Sequence, residues 1–142
     1  MKLKLKLSLS VIFNRKENKK GNLWYNKVMK KEENNEFISV GDLYKKVKKK
    51  EKFMLLDVRT PTEYKTGHIE GSILLNLSED FLKDIETIGL TKRKNQPVVV
   101  YCRNGSRSQI IFNILTTLDF KDVKDMKDGI LEWKKNNLPL IK

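Results

Sequence analysis

The stretch VVVYCRNGSRSQIIFNIL, residues 98 to 115, holds the only cysteine of the chain, between an aromatic residue and two arginines. Cys102 follows a run of three valines that favours a strand, and an amphipathic pattern that favours a helix follows it. The carboxyl end of a parallel strand, just before a helix, is where open α/β sheets bind ligands. Between the two, Asn104 and Gly105 supply the tight turning that ordinary residues resist. Such a turn directs successive backbone N–H groups inward and makes an anion nest at the positive pole of the next helix. Together with Arg103 and Arg107, it favours a sulfur anion, the form in which cysteine is a nucleophile. The bland alternative is a buried small hydrophobe, a common fate of free cysteine. A polar, arginine-bearing turn is an unusual flank for core filler.

The elements that must hold this loop alternate from Glu36 onward between strand-like and helix-like segments, the pattern of an α/β domain with a mostly parallel sheet. Phe37 and Ile38 read as a short strand, and Ser39 as the cap of a helix burying Leu43, Tyr44 and Val47. FMLLDV is a continuous apolar run suited to a strand covered on both faces. Ile73 to Leu75 read as a third strand, and Ser78 as the start of a helix with Phe81, Leu82, Ile85 and Ile88 on one side. PVVVYC is a fourth strand. The helix from Ser106 to about Leu118 buries Ile110, Ile111, Ile114, Leu115 and Leu118. VKDM is a last strand, and GILEWKKN a last helix presenting Ile130, Leu131 and Trp133.

A chain of 142 residues with 39% apolar content sustains one domain and a tail. With one cysteine there is no internal disulfide, and a reducing compartment is the natural setting. The net charge is +12. Residues 1–35 carry ten basic and three acidic side chains, so the excess is concentrated in a leader and the domain proper is assigned to residues 36–142. The opening MKLKLKLSLSVIFNRK has the acid-free, basic, serine-bearing composition of an organelle transit peptide, although its Lys–Leu alternation suits a strand better than an amphipathic helix. Residues 1–35 are therefore either a transit peptide, implying a mitochondrial protein, or a disordered basic tail on a cytoplasmic one. The apolar run Leu9 to Phe13 is too short for a membrane span. No motif that reads nucleic acid accompanies the charge, so no specific nucleic acid is expected.

Three blocks, LLDVRTPTEYKTGHIEGSI, VVVYCRNGSRS and DGILEWKKNNLP, make the chain from about Glu36 to Leu140 resemble a single-domain rhodanese, of the sulfurtransferase family. The resemblance implies a rhodanese-like α/β fold: a five-stranded, mostly parallel sheet flanked by helices on both faces. It implies Cys102 as the nucleophile that accepts a sulfane sulfur, with Arg103, Asn104, Gly105, Ser106 and Arg107 cradling the persulfide. Sulfurtransferases of this superfamily use a six-residue loop and the related phosphatases and arsenate reductases use seven; CRNGSR has six, which favours sulfur over phosphate. No metal or organic cofactor is implied. The partners are a small anionic sulfur donor and a thiol acceptor, or a protein that accepts the sulfur.

Asp57, Arg59 and Glu63 read as a structural ion-pair network near the ligand side of the sheet. His68, the only histidine, reads as a loop-fixing residue rather than the base of a Cys–His dyad, Gly67 and Gly71 as turn glycines, and Trp133 as core. Where family members often have two glycines this chain has Asp128 and Gly129, and Asp128 is expected to cap the last helix. Asp119 stands where a glycine usually follows the cysteine-bearing helix, and aspartate tolerates the left-handed conformation. Beside the enzyme stand a relay or docking module acting on a protein partner and, as a minor alternative, a phosphatase.

Overall fold

The computed structural model describes residues 37–142. Both readings of the leader, residues 1–35, lie outside the described residues. Four parallel strands, β1 (Met54–Asp57), β2 (Ser72–Leu74), β3 (Val98–Tyr101) and β4 (Val123–Asp125), form one sheet in the order β2-β1-β3-β4. Helix α1 (Val40–Lys48) precedes β1; between the strands run α2 (Pro61–Lys65), α3 (Phe81–Thr87), a 3-10 turn (Leu90–Lys92) and α4 (Ser106–Thr117), and α5 (Gly129–Lys135) follows β4.

The fold is the rhodanese-like α/β architecture, with one strand fewer than expected among the described residues. Phe37 makes only an isolated parallel bridge to Asp125, through the Ile38 N–H to Asp125 O bond of 3.0 Å. The chain then turns at once into α1, whose N-cap Ser39 accepts from the Asp42 N–H, so no further ladder bond forms. Ser78 does not begin α3. It makes a turn first, accepting the Asp80 N–H on its hydroxyl and the Phe81 N–H on its carbonyl, and the helix starts at Phe81.

Strand period two divides the core between the two faces. Met54, Leu56, Val98, Val100, Cys102 and Val123 point to one face, covered by α3 and α4 through Phe81, Ile85, Ile111, Ile114 and Leu115. Leu55, Val99 and Tyr101 point to the other, covered by α1 and α5 through Leu43, Ile130 and Trp133. Trp133 is thus core, and its indole N–H donates to Pro139 O at 3.0 Å. After α4 the chain reverses at Asp119 with φ +67°, the left-handed turn expected there. No helix among the described residues is long and apolar enough to cross a membrane.

Candidate active site

Cys102 stands one residue beyond β3, on the face that α4 covers, and is fully buried. The loop that follows folds back over the sulfur: the Gly105 N–H points at Cys102 Sγ at 3.1 Å, and the Ser108 hydroxyl lies 3.6 Å from it. Gly105, at the mouth of α4, has φ +97°, the left-handed region that glycine alone enters at little cost. Ser108 Oγ, from the first turn of α4, donates to Gly105 O at 3.2 Å and so ties the loop to the helix. The Asn104 side chain sets the turn by accepting from the Ser106 N–H at 3.2 Å and the Ser106 hydroxyl at 2.9 Å. This is an Asx turn, which presents the loop backbone in a fixed shape.

The back of the loop is held by the start of α5. Ile130 N–H donates to Cys102 O at 2.9 Å and Leu131 N–H to Arg103 O at 3.2 Å. A methyl group on Gly105 would collide with the Lys127 carbonyl, and one on Gly129, at φ +69°, with the Arg103 carbonyl. Two backbones therefore meet here without room for a side chain. Asp128 occupies the N-cap position but makes no capping hydrogen bond, because its backbone is already helical and the contact is made by Gly129.

Arg107 and Arg103 take different stations. Arg107 is clamped by Glu63 in a bidentate pair, Nη1 to Oε2 at 2.7 Å and Nη2 to Oε1 at 2.8 Å. Glu63 is held for this by α2, where Thr60 and Glu63 form a capping box behind Pro61. The Arg107 guanidinium, aided by the Thr60 N–H and hydroxyl, outweighs burial and lowers the Glu63 carboxyl to about 2. Glu63 in turn pushes Arg107 above its ordinary value against burial, and the Cys102 sulfur and Asp57 add to that effect. Arg103 is exposed and makes no ion pair with any described residue.

The acids and bases near the end of β1 form a separate buried assembly. Asp57 receives the Arg59 guanidinium through Nη2 at 2.7 Å and Nε at 2.9 Å, and Arg59 Nη2 also reaches Gly67 O at 2.8 Å. Burial opposes the Arg59 charge, but the neighbouring Asp57 prevails and raises the Arg59 pKa above its ordinary value. The Tyr101 hydroxyl donates to Asp57 Oδ2 at 2.7 Å and accepts the Ile69 N–H at 3.2 Å. Burial and the neighbouring Asp57 charge push that phenol far upward. The network expected of Asp57, Arg59 and Glu63 is therefore divided: Asp57 and Arg59 brace the 67–69 turn, whereas Glu63 serves the cysteine loop. His68 stacks on Tyr64 with ring centroids 3.6 Å apart, and its backbone exchanges hydrogen bonds with Ile141. It fixes a loop, and among the described residues its hydrogen bonds go to Tyr64 and Ile141 rather than to Cys102.

The expected loop residues Cys102 to Arg107 are brought together in one turn, with Arg107 facing Glu63. Sequence reasoning missed Ser108, the hydroxyl beside the sulfur, and the clamp role of Glu63. The signal for the second was present in TPTE, a proline-bearing capping box that announces a helix.

A family model for the rhodanese-like domain matches residues 39–136. Among curated relatives, the uncharacterized protein YibN of Escherichia coli K12 is 37% identical over 93 residues, covering 66% of this chain and 64% of its own length, so the chain spans somewhat less than two thirds of that relative. A putative mitochondrial thiosulfate sulfurtransferase of Schizosaccharomyces pombe is 36% identical over 109 residues, covering 69% of this chain and 75% of its own. The thiosulfate sulfurtransferase GlpE of Pseudoalteromonas translucida is 32% identical, covering 60% and 76%. The fold is shared with the polysulfide-sulfur transferase homodimer of Wolinella succinogenes, at a TM-score of 0.66 and 24% identity over 80% of this chain and 83% of that one. With a parallel sheet, a cysteine at the end of its third strand and a family match over most of the chain, this protein belongs to the rhodanese-like domain family.

Proposed function

We propose that this protein is a sulfurtransferase that carries a sulfane sulfur on Cys102 from an anionic donor such as thiosulfate to a thiophilic acceptor. The observation that carries the reading is the Gly105 N–H aimed at Cys102 Sγ within a six-residue loop closed by Arg107. In the first step the thiolate attacks the outer sulfur of thiosulfate; the new S–S bond forms as the bond to the sulfonate breaks, and its electron pair leaves with sulfite. Loop N–H groups and the α4 terminus stabilise the persulfide anion. In the second step cyanide or a thiolate takes the outer sulfur and the electron pair of the S–S bond returns to Cys102.

Within the cradle, Arg103 is the residue for donor recognition, since it is exposed and makes no ion pair with any described residue, and Arg107 positions the loop. Asn104, Gly105 and Ser106 shape the backbone that meets the anion. Complete burial of Cys102 supports a second reading, in which a protein partner opens the loop and receives or delivers the sulfur. Steady-state thiocyanate formation from thiosulfate and cyanide tests the first reading. We expect turnover in the wild type and none in Cys102→Ser; sulfur delivery from a persulfidated protein with no thiosulfate activity would support the relay instead. If residues 1–35 are a transit peptide, a reporter fused to them enters mitochondria, and a diffuse cytosolic signal would contradict that assignment.

A further inference from the structure

Asp125 ends β4 in register with Val100 of β3. Period two places its side chain with Val123 on the face that also holds Val98, Val100 and Cys102, beneath α4. The residue is fully buried, and neither carboxyl oxygen has a hydrogen-bond partner among the described residues. A bare carboxylate in such a place is costly unless a proton or partner neutralises it. On α4 the hydroxyl that acts on it is that of Ser108, which in this structure donates to Gly105 O rather than to Asp125 and lies 3.6 Å from Cys102 Sγ. The β3 neighbour Val100 and the 37–38 segment present nothing titratable, and the turn after β4 brings Lys127 and Asp128, whose charges oppose each other. Burial pushes the Asp125 carboxyl up to about 6; Ser108 and Lys127 pull it down and Asp128 adds to the rise.

We propose that Asp125 and Cys102 share one proton across Ser108, the carboxyl taking up the proton that the thiol gives up. The S–H proton passes to Ser108 Oγ while the Ser108 O–H proton, turned from Gly105 O, passes to Asp125. Ser108 is unchanged, the negative charge moves from carboxylate to sulfur, and the face beneath α4 holds a single anion until the shared proton itself is lost at higher pH. Asp125 is thus a positioning residue for the proton rather than a group that meets the substrate. The inference rests on Cys102 acting as a thiolate nucleophile, but it does not depend on which donor loads it.

The test follows both groups in the full-length reduced protein across pH, Cys102 through its far-ultraviolet thiolate absorbance and Asp125 through its carboxyl carbon resonance. Groups sharing a proton titrate in two joint steps, more than about one pH unit apart. We expect thiolate absorbance to rise in two steps in the wild type and in one step in Asp125→Asn. The Asp125 resonance is expected to move by more than about one pH unit in Cys102→Ser. If Asp125→Asn does not fold, the comparison with Cys102→Ser decides alone. An Asp125 carboxyl that titrates identically with and without the Cys102 thiol would overturn the proposal, as would an unchanged thiolate profile in Asp125→Asn. Failure of thiosulfate to load Cys102 would leave these titrations intact, so the two readings fail separately.

Discussion

Glu63 and Arg107 show how a single contact between two residues ties the end of the cysteine loop to a distant helix. Both side chains are about 70% buried, and the pair is bidentate, the geometry in which charge-assisted hydrogen bonds are strongest. Replacing Glu63 by Gln is expected to cost about 1–2 kcal/mol after allowance for partial exposure, and to lower sulfur transfer by releasing Arg107. Because the folded pKa of Glu63 is depressed from 4.5 to about 2, its stabilisation is present in full above about 4.5 and lost as pH falls toward 2. Urea midpoints of wild type and Glu63→Gln should therefore differ at neutral pH and converge at the acid end. The turn after Cys102 was legible from its neighbours in sequence, since Asn104 and Gly105 announce it and the structure places it there. The clamp was not, since its partners are 44 residues apart and only the folded sheet brings them together. Asp125 was equally hidden: period two in VKDM puts it beside Val123, but nothing local says that α4 will close over that face.

At the scale of elements, the loop is defined by what α5 and the turn before it press against. Gly105 and Gly129 are the points of contact, both at positive φ and both without space for a Cβ. Gly129→Ala should destabilise the protein by about 2–4 kcal/mol, through strain and displaced backbone, in denaturant unfolding. A loss below about 0.5 kcal/mol would contradict this close approach. On the opposite face, Tyr101→Phe removes the hydroxyl shared by Asp57, Ser72 and the Ile69 N–H, with an expected cost of about 1–3 kcal/mol. The long, periodic elements were readable because hydrophobic spacing is a local property: α4, β1 and β3 lie where the pattern puts them. The fifth strand was over-read from Phe37 and Ile38, whose apolar side chains satisfy a strand pattern with only one ladder contact. Helix α2 was overlooked because its five residues carry no apolar stripe, which leaves the capping box in TPTE as its local signal.

For the whole molecule, the exposed Arg103 beside the cysteine loop and a net charge of +12 would set the field met by the anionic donor we propose. Attraction of this kind is screened over about 8–10 Å at ordinary ionic strength. The rate constant for loading by thiosulfate should fall as salt rises, and Arg103→Ala should both lower it and flatten its salt dependence. A rate indifferent to salt in both proteins would remove Arg103 from donor recognition. The most direct test of the central claim is the intact mass of the reduced protein before and after thiosulfate, beside Cys102→Ser, followed by addition of cyanide or a thiol. The account requires a gain of one sulfur atom, absent in the variant and reversed by the acceptor; a wild-type mass unchanged by thiosulfate, mercaptopyruvate and persulfidated protein donors alike would contradict it.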